Sequence, residues 1–464
     1  MTLIASISGI RGTIGGVPGR GLTPPDIVRF TAAYGKRVLS RKTAGKPLVV
    51  VGRDGRISGP MVEQLVLGTL AGMGIDTVHL GLASTPTVEM AVPHFRAQGG
   101  IIITASHNPM EWNALKLLNE AGEFITDKEG KEILHMAGSG IVEYARVNHL
   151  GSITTVHDFD DTHIAGILEL DLVSKEAIQE AEFTVVVDGI NSVGGIIVPK
   201  LLYELGVKKV VCINAESDGY FAHPPEPLPD HLKEICEKVK AERADLGIVV
   251  DPDVDRLALI DEKGNLFGEE YTLVAVADYV LMHRPGNTVS NLSSTRALRD
   301  ITVQYGGKYA ASAVGEVNVV RKMKETGAVI GGEGNGGVIY PDLHYGRDAL
   351  AGIALFLSHL AKSGETCSAL RARYPDYYMI KEKAVLGDNI EPEKLFSKLE
   401  NHFAGELLNW EDGLRIDFDH AWVHLRLSNT EPIVRIYAEA DNRTEALAWV
   451  EEIMRLTGLK RKNS

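Results

Sequence analysis

The chain has 464 residues, 44% hydrophobic and 24% charged, with a net charge of −14. That length suits roughly three domains, with two to four allowed. The acidic balance excludes a general nucleic-acid binder and a membrane surface of like charge as partner, but a local arginine cluster could still hold a phosphate.

Three cysteines, Cys212, Cys236 and Cys367, show no paired spacing. They predict neither a disulfide framework nor a zinc site. Cys212, inside the apolar string VVCIN, is expected to pack in a core. The N-terminus MTLIASISGIRG lacks a leader pattern, and no segment has the length of a membrane span. A cytoplasmic protein is expected.

Apolar, β-branched runs recur along the chain. PLVVVGRDGR (47–56) precedes the amphipathic stretch MVEQLVLGTLAGMG (61–74). Then come GGIIITASHN (99–108), FTVVVDGINS (183–192) and KKVVCINAE (208–216). The amphipathic PDHLKEICEKVKAERA (229–244) leads into LGIVVDPDVDR (246–256), NTVSNLSST (287–295) and AVIGGEGNGG (328–337). Runs without polar alternation predict strands buried on both faces. Their alternation with helices predicts an α/β chain with mostly parallel sheets. Ligands gather at the carboxyl ends of such strands, where Arg53–Asp54, Ser106, Asp251–Asp255 and Glu333 fall. AWVHLRLSNTEPIVRIYAEA (421–440) instead alternates polar and apolar residues, predicting a half-exposed antiparallel pair. The helix TEALAWVEEIMRLTG (444–458) completes an α+β module. Expected boundaries lie near residues 150, 256 and 370, giving segments 1–150, 151–256, 257–370 and 371–464.

Four polar strings carry candidate chemistry. In GGIIITASHNPMEWNALK (99–116) a strand delivers Ser106 into a turn with His107, Asn108 and Pro109. A hydroxyl so presented can act as a nucleophile or carry a phosphoryl group; a bare Ser-His pair could equally be an ordinary turn. In DPDVDR (251–256) three carboxylates at alternate positions can converge on a hard cation such as Mg²⁺, or remain a solvated acidic turn. GGEGNGG (331–337) combines glycines, which let backbone approach a ligand, with Glu333. RLSNTEPIVR (426–435) gathers two arginines, two hydroxyls and an amide, the components of a phosphate cradle or of a plain hairpin.

Taken together and in this order, the strings resemble those of the α-D-phosphohexomutases, which move phosphate between the 1- and 6-positions of a hexose. SGIRGTIGG (8–16), VGRDGRISG (51–59) and ESDGYFAHPPEP (216–227), with Phe221 and His223, resemble further family segments. The resemblance implies three related α/β domains and a smaller C-terminal α+β domain around a central cleft. It implies Ser106 as the phosphoryl carrier, phosphorylated at rest. Mg²⁺ would sit on Asp251, Asp253, Asp255 and the Ser106 phosphate, with Arg256 nearby. Arg11 would lie near the serine, and Lys116, His107 and Arg11 are the candidate bases. Glu333 and Asn335 would contact the sugar. Arg426, Ser428, Asn429, Thr430 and Arg435 would hold the non-reacting phosphate.

The implied activity is a mutase working through a hexose 1,6-bisphosphate, which also serves as activator. Glucosamine phosphate is the expected substrate, with phosphomannomutase/phosphoglucomutase activity as the alternative. A Mg²⁺-dependent phosphatase and a non-catalytic sugar-phosphate sensor are the readings from other classes. A monomer or homodimer is expected, with no nucleic-acid or membrane partner. Two positions depart from a common form of the sugar loop: Asn335 and Gly337 stand where Ser and His often do. Ala114 stands where Gly is usual.

Overall fold

A computed structural model describes residues 2–6, 9–41, 45–140, 142–386, 391–428 and 433–462. The apolar runs form strands as expected. Val49, Val50 and Val51 are fully buried, as are Ile101, Ile102 and Ile103, because helices cover both faces of the sheet. Three sheets share one plan. In the first, Leu48–Arg53 is flanked by Asp76–Leu82 and Gly100–Ile103, all parallel, and Trp112–Leu118 returns antiparallel beside the last. Thr184–Asp188, Lys209–Ile213, Leu246–Val250 and Leu257–Asp261 repeat that arrangement. Asn287–Asn291, Tyr309–Ser312, Ala328–Glu333 and Gly337–Ile339 repeat it again. Each time the order across the sheet is second, first, third, fourth.

The turn between the third and fourth strands matters most. In the first sheet it carries Ser106, in the second Asp251–Arg256, and in the third the glycine-rich loop after Glu333. The second sheet runs to Asp261, past the expected boundary near 256, because Leu257–Asp261 is the hairpin return of Leu246–Val250.

The first sheet gains Gly9–Thr13, paired antiparallel with Trp112–Leu118, which sets Arg11 opposite Ala114. The second and third sheets share one continuous core. Its centre is the helix Ala349–Ser363, apolar on nearly every side and packed against Glu269–His283. Among the described residues no helix is long and apolar enough to cross a membrane. Cys212 is exposed rather than packed in a core, because Lys209–Ile213 is the edge strand of its sheet.

The last module is a six-stranded sheet in which every pairing is antiparallel. Ala421–Leu427 and Ile433–Ala440 form the expected pair, but they are more buried than the alternation implied. One face packs against the helix Arg443–Thr457. The polar residues of the other face are buried in a seam against the third sheet. There Glu439 accepts from the Arg296 amide (2.9 Å) and from Trp422 Nε1 (2.8 Å). Arg415 donates to the Leu292 carbonyl at 2.6 Å.

His424 shows what the seam requires. Its Nδ1 lies 2.9 Å from the Ser293 hydroxyl and its Nε2 2.7 Å from the Asp412 carbonyl, as suits a neutral ring. Burial is the main cause that lowers its pKa from 6.5 to about 4. Between those values the unfolded chain binds a proton that the folded chain refuses. Stability therefore falls as pH drops through that window, by up to about 3 kcal/mol from this group. Denaturant unfolding at stepped pH should show this slope, and His424→Gln should flatten it.

Candidate active site

The serine turn is held from beneath. Arg56 is fully buried and spreads its guanidinium under the turn, donating to the carbonyls of Asn108 (2.7 Å), Pro109 (2.7 Å), Trp112 (2.9 Å) and Ser106. Asp54 anchors Arg56 Nε at 3.0 Å. It also accepts from the Thr104 hydroxyl at 2.6 Å, and Thr104 Oγ1 accepts from the Ser106 amide at 2.9 Å. This scaffold holds Ser106 at φ 49°, a left-handed conformation uncommon for serine. Asp54 and Arg56 of the VGRDGRISG string (51–59) thus have a structural task, to set the serine turn. Phe221 lies against the Arg56 guanidinium, and His223 bonds Asp188 at 3.1 Å.

Ser106 Oγ donates to Asp251 Oδ2 at 2.8 Å, joining the first repeat to the second. In the aspartate turn Val254 also takes a left-handed φ of 62°. That sharp bend lets Asp251 Oδ1 accept from the amides of Asp255 and Arg256, both at 3.1 Å. Asp251, Asp253 and Asp255 are fully buried, with a carboxylate oxygen of each within 4.8 Å of the others. Burial first, then repulsion by Asp255 and Asp253, pushes Asp251 well above the carboxylate range. Asp253 would also rise through burial, but the Lys116 ammonium 2.6 Å away holds it well below that range.

Asp253 Oδ1 and Asp255 Oδ1 are buried without hydrogen-bond partners. Two orphaned oxygens beside the Asp251 carboxylate and a serine hydroxyl form a hard oxygen donor set that fits Mg²⁺. The cations around them come from elsewhere. Lys116, on the antiparallel strand of the first sheet, reaches Asp253 and, at 3.3 Å, Asp255. Burial would lower its pKa, but these two carboxylates raise it, so Lys116 is held protonated. Arg347 arrives from the third repeat and touches Asp255 (2.7 Å), Glu316 (2.9 Å) and Glu333 (3.1 Å). Arg256 Nε stands 4.0 Å from Asp251 and 3.9 Å from Asp255. His107 Nδ1 is 3.4 Å from Ser106 Oγ, and burial, aided by Arg256, keeps its ring neutral.

Glu333 ends its strand beside this group, but its carboxylate already accepts from Asn291 Nδ2 (2.8 Å), the Gly315 amide (3.0 Å) and Arg347. Asn335 Oδ1 accepts from the Gly337 amide at 3.2 Å and so shapes the loop. In the last module Arg426 stands directly opposite Arg435, and Arg435 opposite Lys383, in one row across three strands. Like charges side by side on a sheet repel, so such a row suits an anion. Asp412 pairs with Arg426 at 2.6 Å. Arg11 faces the same charge: burial, then Arg435, lowers its pKa, and its Nε is buried without a partner. Ser428 closes the loop through its amide, bonded to the Ile433 carbonyl at 3.0 Å. Asn429 and Thr430 lie outside the described residues.

Arg347, Glu316, Thr85, which donates to Asp253 at 2.7 Å, and Lys383 had no signal in the sequence beyond being single polar residues. Arg347→Leu should cost about 3–5 kcal/mol in denaturant unfolding, because three buried carboxylates lose their shared cation. Arg347→Lys, which keeps the charge but loses the fork, should fall between the two.

Comparisons with known proteins agree along the whole length. Residues 4–140, 161–264 and 268–377 match, in turn, the phosphoglucomutase/phosphomannomutase alpha/beta/alpha domains I, II and III. Residues 387–456 match the C-terminal domain of the same proteins. A phosphoglucomutase/phosphomannomutase of Thermococcus kodakarensis is 38% identical over 95% of this chain and 96% of its own. A phosphoglucosamine/phosphogalactosamine mutase of Sulfurisphaera tokodaii is 31% identical over 95% and 97%. The crystal structure of a phosphoglucomutase/phosphomannomutase family protein from Burkholderia thailandensis superposes with a TM-score of 0.85 at 27% identity, covering 99% of this chain and 98% of that one. With four domains matched in order and relatives above 30% identity over nearly its full length, the chain belongs to the phosphoglucomutase/phosphomannomutase family of isomerases.

Proposed function

We propose that this protein interconverts hexose 6-phosphates and 1-phosphates through a phosphoserine at Ser106 and a 1,6-bisphosphate, with glucosamine phosphate as preferred substrate. The observation that carries the reading is Ser106 Oγ, 2.8 Å from the first carboxylate of a buried aspartate turn with two unpartnered oxygens. A structural turn would not leave buried carboxylate oxygens without partners.

The phosphoryl group passes from Ser106 Oγ to the free hydroxyl of the bound sugar. The bond from phosphorus to Oγ breaks as the bond to the sugar oxygen forms, and the hydroxyl proton leaves to a base. After the bisphosphate reorients, Ser106 takes the other phosphate. Mg²⁺ on Asp251, Asp253 and Asp255 would offset charge on the transferring group. Of the three candidate bases, Arg11 is a cation, and burial keeps the His107 ring neutral 3.4 Å from Ser106 Oγ. Against burial, Lys116 is raised by Asp253 and Asp255, the carboxylates that Mg²⁺ would occupy, so the metal would weaken that hold. Lys116 and His107 therefore both stand as bases in this reading. Arg11 with the row of Arg426 and Arg435 holds the phosphate that is not reacting. Holding that end positions the opposite hydroxyl at the serine, so remote binding energy assists the reacting centre.

The sugar preference rests on relatives of 32% and 31% identity over 95% of this chain, named probable phosphoglucosamine mutase and phosphoglucosamine/phosphogalactosamine mutase. The second reading, a phosphomannomutase/phosphoglucomutase, is favoured by the 38% identical relative of that name.

Ser106→Ala should abolish turnover, and a rate near that of the unaltered enzyme would remove the serine from the reaction. Arg435→Ala should raise KM for the sugar phosphate about tenfold or more, by loss of a charge-assisted hydrogen bond. With Mg²⁺ and a trace of hexose 1,6-bisphosphate, kcat/KM for the glucosamine, glucose and mannose phosphates decides the substrate. A clear glucosamine preference supports the first reading, and equal or faster glucose and mannose turnover the second. Phosphate release without isomerisation would point to a phosphatase, and binding without turnover to a sensor.

A further inference from the structure

A second group of side chains able to ligate a metal lies where the first three domains meet, directly behind the aspartate turn, where the Ala349 amide bonds the Val254 carbonyl at 3.2 Å. His163, on the helix Phe159–Leu168, places Nε2 2.9 Å from Asp348 Oδ2. His344 Nε2 lies 3.2 Å from the same oxygen. One donor atom from each of the three falls within 4.8 Å of the others. His163 and Asp348 are buried and His344 is half-buried.

Each of these residues has an outer partner that fixes its orientation. His163 Nδ1 is 3.0 Å from the Thr87 hydroxyl. Asp348 Oδ1 caps the helix Ala349–Ser363, accepting from the amides of Leu350 (2.8 Å) and Ala351 (3.2 Å), so Oδ2 is the oxygen turned to the histidines. His344 Nδ1 faces Glu89 Oε2 at 3.5 Å. Glu89 is the independent observation. It is 2% exposed, and neither of its carboxylate oxygens has a hydrogen-bond partner. Gly346 makes room for it, since a Cβ there would come within 1.9 Å of Oε2.

Asp348 Oδ2 can accept from both imidazoles, but only if a neutral His344 carries its proton on Nε2, and then nothing on Nδ1 is left to donate to the buried Glu89. With a cation between His163 Nε2, His344 Nε2 and Asp348 Oδ2, both imidazoles carry their proton on Nδ1. They then donate outward, to Thr87 and to Glu89, and the glutamate gains its missing donor. Carboxylates behind ligating histidines hold metal centres in this way.

We propose that His163, His344 and Asp348 bind one divalent transition-metal cation of the Zn²⁺ class, which clamps the first three domains together. Two imidazoles and a carboxylate suit Zn²⁺ or Co²⁺, whereas Mg²⁺ prefers an all-oxygen set. Asp348 and His344 come from the third domain, His163 from the second, and Thr87 and Glu89 from the helix Thr85–His94 of the first.

The test uses the full chain, freed of metal by a chelator and returned to saturating Mg²⁺, which occupies the aspartate turn. Co²⁺ is then added, followed by gel filtration. The proposal expects one Co²⁺ retained per chain, visible absorption of a four-coordinate ion, its loss on adding Zn²⁺, and a Zn²⁺-dependent rise of several degrees in Tm. His344→Asn, a change at the half-buried ligand, should abolish the absorption and the Tm shift, whereas Asp251→Asn/Asp253→Asn should keep both. Failure of the unaltered protein to retain Co²⁺ in the presence of Mg²⁺ would overturn the proposal. So would absorption that survives His344→Asn but disappears in the double aspartate variant.

Discussion

Three buried carboxylates in one turn are the constraint around which this molecule is organised. Asp251, Asp253 and Asp255 are removed from water, and such charges persist only when cations and hydrogen bonds compensate them. The turn itself supplies only backbone amides and Arg256. The close cationic partners are Lys116 of the first repeat and Arg347 of the third, and the hydroxyl donors are Thr85 and Ser106 of the first. The aspartate turn therefore gains its close cationic and hydroxyl partners only when all three repeats are in place.

The repeated sheet plan explains how three unrelated-looking strings reach one place. Each occupies the turn between the third parallel strand and its antiparallel return. Carboxyl ends of parallel strands collect backbone amides and side chains at one edge of a sheet, and three such edges meet at the aspartate turn. The last module differs in topology and in task. Its antiparallel sheet sets Arg426, Arg435 and Lys383 in a row, a repulsive arrangement that an anionic ligand would relieve. Its seam with the third sheet is polar, built from His424, Glu439, Arg415 and Arg296 rather than from a shared apolar core. By contrast, the second and third sheets share one core and behave as a single packed body.

Legibility in the sequence followed the range of the interactions. Ser106 and the three aspartates stood out because a strand and the turn that follows it are local, and their residues are neighbours in the chain. Arg56 was legible only as part of a segment, and its work on the carbonyls of residues 106–112 was not. The family resemblance implies sugar contact for Glu333, and only the structure shows that Asn291, Gly315 and Arg347 already bond its carboxylate. Lys116 reads in the sequence as one of three candidate bases, and its 2.6 Å contact with Asp253, from another domain, is not legible there. The exposure of Cys212 is not legible, because an apolar run does not say whether its strand is central or at an edge.

The sequence by itself determined the strands, the α/β class, the antiparallel last module, the serine turn and the acidic turn, since each follows from residue type and spacing within about a dozen positions. Its motif order also pointed to the family. Only the tertiary structure decided which charges meet. Arg347 reaches Asp255 across 92 positions, and His163 reaches Asp348 across 185. Such pairings depend on how sheets pack, and a lone arginine or histidine carries no periodicity that would reveal its partner.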